Sequence, residues 1–166
     1  FTNEEVIGTK EKVFMTYQKF AQDVQVGENI LIDDGKLIFK VIETNGVDTV
    51  KAETIQGGPL RSKKGVNLPN TKISLPALTE KDKEDAKFAI ENRVDWFALS
   101  FVRSGQDVKD LADFIKENGT LKIPIISKIE KPEALENIDE ILEFSDGLMV
   151  ARGDLGVEVP FEIVPK

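Results

Sequence analysis

Short apolar runs and amphipathic runs take turns between Thr79 and Gly156, and few architectures accept that order. "TEKDKEDAKFAIEN" opens with an N-cap threonine, Thr79, and sets Ala86, Ala89 and Ile90 at helical spacing. "DWFALSFV" (95–102) reads as a buried strand, and "DVKDLADFIKENG" (107–119) as a helix closed by Gly119. "IPIISKIE" (123–130) is the next strand, and "PEALENIDEILEF" (132–144) the next helix, with Pro132 at its first position. "DGLMVARGDLG" (146–156) reads as a further strand ending in glycines. Strands this apolar, separated by helices, predict parallel βαβ units buried on both faces.

Before Thr79 the pattern is different. "EKVFMTY" (11–17), "NILID" (29–33), "KLIFKVIET" (36–44) and "VDTVKAETI" (47–55) are short, rich in β-branched residues and partly alternating. The turn signals "DDG", "NG" and "GG" separate them, so a small barrel or sandwich is expected. The boundary is the Pro-punctuated "VNLPNTKISLPAL" (66–78). We therefore divide the chain into an all-β domain at 1–70 and an α/β domain at 71–166.

Composition narrows the chemistry. Cysteine and histidine are both absent, which removes thiol nucleophiles, Ser-His pairs and His-ligated zinc. Any catalysis must use carboxylates, lysine, arginine, hydroxyls and backbone. Lack of cysteine also suits a cytoplasmic protein. No apolar run nears the roughly 18 residues of a membrane span, and the start lacks the order of a secretory signal. The net charge of −8 falls entirely after residue 78, because residues 1–78 carry ten basic and ten acidic groups. An acidic half repels phosphate backbones, so no nucleic-acid partner is expected.

Sites in parallel β/α folds form where strands end. Side chains at i and i+2 share a strand face, so Lys128 and Glu130 project together just past the apolar run. The next strand is read as ending at Asp154, flanked by Gly153 and Gly156, where backbone can approach a ligand closely. Two carboxylates from neighbouring strand ends suit Mg²⁺, which leaves positions for water and substrate oxygens. A nearby lysine can neutralise charge developing on a phosphoryl group or an enolate. On spacing alone, an exposed edge-strand ion pair and a loop-capping aspartate are equally good readings. Arg152-Gly153-Asp154 spells an adhesion tripeptide, but its place at a strand end argues against that role. Arg61, Lys63 and Lys64 lie in a Gly-bounded loop that reads first as a solvated face and second as a phosphate contact.

"IPIISKIEKPEAL" resembles the active-site signature of pyruvate kinases, and "SDGLMVARGDLGVEVP" is similar to the strand that follows it in that family. "SKKGVNLPN" and "LPALTEKDKEDAKFAIENRVDWFALSFVR" resemble the family in the same order, so the likeness covers essentially the whole chain. It implies α/β plus all-β architecture: a partial TIM (β/α)8 barrel around strands four to six, with an inserted small β-barrel lid domain. It implies that Lys128 stabilises the transferring phosphoryl group and the enolate, and that Glu130 and Asp154 bind Mg²⁺ or Mn²⁺. By the same resemblance Ala151, Gly153 and Asp154 line the substrate carboxylate, Ser100 lies near the phosphoryl pocket, and Lys64 lies near the nucleotide. The implied reaction moves the phosphoryl group of phosphoenolpyruvate to ADP, giving pyruvate and ATP in glycolysis.

Family members carry further barrel strands, K⁺-binding and phosphate-binding residues and a C-terminal regulatory domain that this sequence does not include. The resemblance thus implies about a third of an enzyme, inactive alone, completed by the rest of its own chain and assembled as a homotetramer. Two alternatives stay open at this point. One is a Mg²⁺-dependent pyruvate-enolate lyase, aldolase or phosphotransferase of the same barrel superfamily, against which the lid domain argues. The other is a non-catalytic nucleotide- or metal-binding module.

Overall fold

The computed structural model describes residues 1–165, and the chain separates into two compact units, one over Phe1–Ser74 and one from Leu75 onward.

The first unit is built on an antiparallel sheet. It contains a short helix α1 (Phe20–Asp23) and strands β1 (Asn29–Ile32), β2 (Leu37–Thr44), β3 (Val50–Gln56) and β4 (Val66–Asn67). The four strands lie in the open order β3-β2-β1-β4, so the expected ring of strands is an open sheet instead. The Asp33-Asp34-Gly35 turn joins β1 to β2 with three successive positive φ values of 55°, 58° and 78°. This is the backbone that hairpin turns require and that Asp and Gly tolerate best. At the β2–β3 turn Asn45 Oδ1 accepts the N–H groups of Val47, Asp48 and Thr49, and Gly46 takes the left-handed conformation at φ 67°. Phe20, Ile30, Val41 and Val50 fill the core, with the Phe1 ring edge-on to Phe20 and Phe39.

The expected strand at 11–17 is reduced to a single bridge between Thr2 and Phe14. The Asn3 side chain explains why. Its amide donates to the carbonyls of Met15 (3.0 Å) and Tyr17 (2.7 Å), oxygens that a partner strand would otherwise take.

The second unit follows the expected alternation. Helix α2 (Glu80–Glu91) precedes β5 (Phe97–Leu99), α3 (Gly105–Asn118) precedes β6 (Ile125–Ile129), and α4 (Pro132–Glu136) with α5 (Ile138–Phe144) precedes β7 (Gly147–Val150). Helix α6 (Arg152–Glu158) and a 3-10 turn (Phe161–Ile163) follow. The three strands are parallel in the order β5-β6-β7, with Leu99 opposite Ser127 and Lys128 opposite Met149. Thr79 caps α2 as expected: its hydroxyl accepts the Asp82 N–H at 3.2 Å, and Asp82 accepts the Thr79 N–H at 2.9 Å. Val108, Leu111, Ile125, Ile129 and Ile141 are almost fully buried between helices and sheet. At the far end of the strands, the Asp146 carboxylate accepts the Ile125 N–H at 3.0 Å and meets Lys122 at 3.1 Å. Those two contacts, the amide first, hold its carboxyl below the usual carboxylate range.

Three expectations change here. The helix over 132–144 breaks at Asn137, whose side-chain amide leaves the helix to donate to the Arg103 carbonyl at 2.8 Å. The strand expected to run to Gly156 stops at Val150, and Gly153 and Asp154 belong to the first turn of α6. β7 is also less buried than its sequence suggests, with Met149 45% and Val150 52% exposed on a sheet edge. Gly119 closes α3 as expected, in extended backbone with a φ of −142° and not a left-handed turn. Glycine is needed there for room: a Cβ would lie 2.9 Å from Ile90 Cγ2.

Gly105 marks the tightest contact in this unit. A Cβ there would sit 2.6 Å from Glu140 Cγ, 2.8 Å from the Glu140 carbonyl oxygen and 2.8 Å from the Phe144 ring. Alanine favours helix over glycine, but a backbone carbonyl cannot rotate away. Gly105→Ala in the full-length parent is expected to destabilise by about 1–3 kcal/mol through overpacking, read as a lower urea midpoint. An unchanged or raised midpoint would show that α3 and α5 separate easily.

Candidate active site

Strand period brings the first two residues together. On β6, Ile125, Ser127 and Ile129 point into the core, which turns Lys128 to the other face. Lys128 Nζ lies 2.5 Å from Glu130 Oε1 and donates to Ser100 Oγ at 3.0 Å. Glu130 is only 2% exposed, so the pair is not the exposed surface bridge that spacing alone allowed. Its second oxygen, Oε2, accepts the backbone N–H of Phe101 at 2.8 Å. A buried carboxylate is costly unless its oxygens are occupied, and here an ammonium and an amide occupy one each.

The exits of the three strands carry the remaining candidates of this unit. Ser100 follows β5 directly, Glu130 follows β6, and Ala151 follows β7. The Ala151 N–H donates to the Ile129 carbonyl at 3.2 Å, continuing the ladder past the end of β7, and its own carbonyl accepts the Leu155 N–H at 2.9 Å. Ala151 thus turns the strand into α6. A Cβ built on Gly153 meets nothing within 4 Å, so protein packing does not demand glycine there. Asp154 is exposed in the first helical turn, where a carboxylate suits the helix dipole.

A second ion pair fixes α6. Lys131, next to Glu130, donates to Glu158 Oε1 at 2.6 Å, and the two side chains are 9% and 1% exposed. Glu158 is the last residue of the helix whose first turn carries Asp154. Sequence inspection missed this pair, because nothing in "KPEAL" or "GVEVP" separates a buried Lys-Glu bridge from two surface charges. Removing one partner of such a pair typically costs 3–5 kcal/mol or so, because the other charge stays buried.

Lys64 belongs to the first unit. It lies in the loop between β3 and β4, with its ammonium 2.8 Å from Asp33 Oδ1. That hydrogen bond raises the lysine's pKa and, with Lys36 also nearby, lowers that of Asp33. Lys64 therefore braces the β1–β2 turn, a role the sequence did not reveal.

As to metal, no cluster of three or more Asp or Glu side chains able to hold an ion occurs among the described residues. The donors at the strand exits are hard carboxylate oxygens, few in number, one buried and one exposed. That set fits Mg²⁺ or Mn²⁺, which take one or two protein carboxylates, and would suit Ca²⁺ poorly because it needs six to eight oxygens or so.

A family model for "Pyruvate kinase, barrel domain" matches residues 2–166, running through both units. The chain belongs to the pyruvate kinase family. Curated relatives agree. It is 46% identical over 162 residues to a pyruvate kinase of Clostridium perfringens, covering 98% of this chain and 34% of that protein. It is 49% identical over 165 residues to a pyruvate kinase of Geobacillus stearothermophilus, covering 97% of this chain and 28% of the relative. A Staphylococcus aureus pyruvate kinase is also 49% identical, over 162 residues, with 97% and 28% covered. The chain thus spans about a third of the length of the pyruvate kinases it matches.

Proposed function

We propose that this chain is the segment of a pyruvate kinase that carries the phosphoryl-transfer centre, and that the parent enzyme moves the phosphoryl group of phosphoenolpyruvate to ADP. The observation that carries this reading is the pair of half-buried Lys128 and buried Glu130, held by Ser100 and the Phe101 amide at the exits of parallel strands. On this reading the second unit is three strands of a (β/α)8 barrel, and the first is the lid inserted into it.

Lys128 is the catalytic residue. As the P–O bond to the enolate oxygen breaks and the bond to the ADP oxygen forms, its ammonium offsets the charge on the moving group and on the enolate left behind. Ser100 orients that ammonium through the 3.0 Å hydrogen bond. Glu130 and Asp154 would hold Mg²⁺, which when bound supplies positive charge to the substrate oxygens. Ala151, Gly153 and Asp154 receive the substrate carboxylate, where the open space at Gly153 allows close approach. Lys64 serves the nucleotide from the lid, in exchange for its contact with Asp33. The enolate then takes a proton to become pyruvate.

Steady-state assay of the full-length parent tests this. Turnover with phosphoenolpyruvate and ADP, and none with acyl-CoA lyase substrates, is expected. The opposite pattern would make the centre a pyruvate-enolate lyase.

A further inference from the structure

Phe101 has a backbone conformation that its side chain disfavours. Its φ is 55°, in the left-handed region that a bulky residue adopts only when its surroundings impose it. The surroundings here are specific. Val102, the next residue, is 1% exposed and anchored in the core. Ser100, the residue before, is tied to Lys128. The Phe101 N–H points at Glu130 Oε2. The ring is 55% exposed, with the Lys131 ammonium 6.0 Å from its centroid, so core packing is not what holds the residue in place.

We propose that Phe101 is a positioning residue that acts through Glu130: its left-handed backbone aims an amide at one carboxylate oxygen and thereby sets how the other presents itself to Lys128 and to a divalent cation. Two consecutive residues at the exit of β5 then hold the two charged groups of β6, Ser100 by its hydroxyl and Phe101 by its amide. Lys131, locked to Glu158 of α6, also places its ammonium 6.0 Å from the Phe101 ring centroid. This inference rests on the proposed metal role of Glu130 and adds the group that orients it.

The test separates backbone from side chain. Every substitution except proline keeps the N–H, but not every residue keeps φ positive. Glycine adopts that conformation freely, asparagine tolerates it, and a β-branched residue resists it. In the full-length parent, Mn²⁺ dissociation constants are measured by calorimetry without substrate, beside the KM and kcat of each variant. Phe101→Val is expected to weaken Mn²⁺ binding about tenfold more than Phe101→Gly, the change that corresponds to roughly 1.4 kcal/mol. Should the valine variant not fold, Phe101→Leu against Phe101→Asn repeats the comparison, with asparagine the tighter binder. Equal affinities, or tighter binding by valine or leucine, would overturn the proposal, because tolerance of the left-handed backbone would then not set the affinity. Glu130→Gln is the control. If it binds Mn²⁺ like the wild type, the carboxylate holds no cation, and the site reading falls together with this inference. If it binds weakly while the glycine–valine order is absent, only the role of Phe101 falls.

Discussion

Lys128→Met in the full-length parent is expected to lower kcat by about 10²–10³-fold, the usual loss when one preorganised charged donor is removed. The KM for phosphoenolpyruvate should change little, because on the proposed reading the ammonium works on charge that develops as the phosphoryl group moves. The geometry adds a second reason for a large effect. Lys128 is the partner of Glu130 Oε1, 2.5 Å away, and Glu130 is almost wholly buried. Methionine keeps most of the side chain's length and removes the charge, so it also leaves the Glu130 carboxylate without its compensating ammonium. Steady-state kinetics at saturating metal check this. A near-normal kcat would return Lys128 to a structural ion pair.

Residues 1–166 expressed alone are expected to give no measurable turnover and to self-associate. Three parallel strands cannot close a ring of eight, so on the proposed reading the mouth of the barrel is incomplete. β7 leaves one strand edge unpaired and exposes Leu148, Met149 and Val150 in succession. An apolar edge of this kind templates pairing with another chain. A coupled assay with phosphoenolpyruvate and ADP, run beside light scattering across concentration, reads both outcomes. A monomer that turns over substrate would mean that the second unit is a complete domain of another architecture.

Some of this was legible in the residues and some was not. The i, i+2 rule alone put Lys128 and Glu130 on one face, and a strand's period is robust to error in its ends. Thr79 declared its helix because a capping box is local chemistry. The limits of β7 were not legible. "ARGDLGVE" has two glycines and poor helical propensity, yet 152–158 is helical because Leu155 is buried and Glu158 is paired to Lys131. Those are tertiary gains that no local pattern carries. α3 starts at Gly105, two residues before the helix expected from 107, and the lack of a side chain at Gly105 serves the contact with Glu140 and Phe144. "EKVFMTY" looks like a strand, and only the position of Asn3 shows why most of its length stays unpaired. The Phe101 amide was invisible for the plainest reason: every residue but proline has one, and its aim depends on φ.

The metal dependence of Asp154→Asn in the full-length parent tests the strand-exit centre most directly. Asparagine keeps the size and the place in the first turn of α6, and removes one negative charge from an exposed position where it disturbs no packing. The Mg²⁺ or Mn²⁺ concentration for half-maximal activity should rise by about tenfold or more, while the ADP concentration for half-maximal activity shifts far less. An unchanged metal requirement would contradict the assignment of Glu130 and Asp154 as the pair that holds the cation.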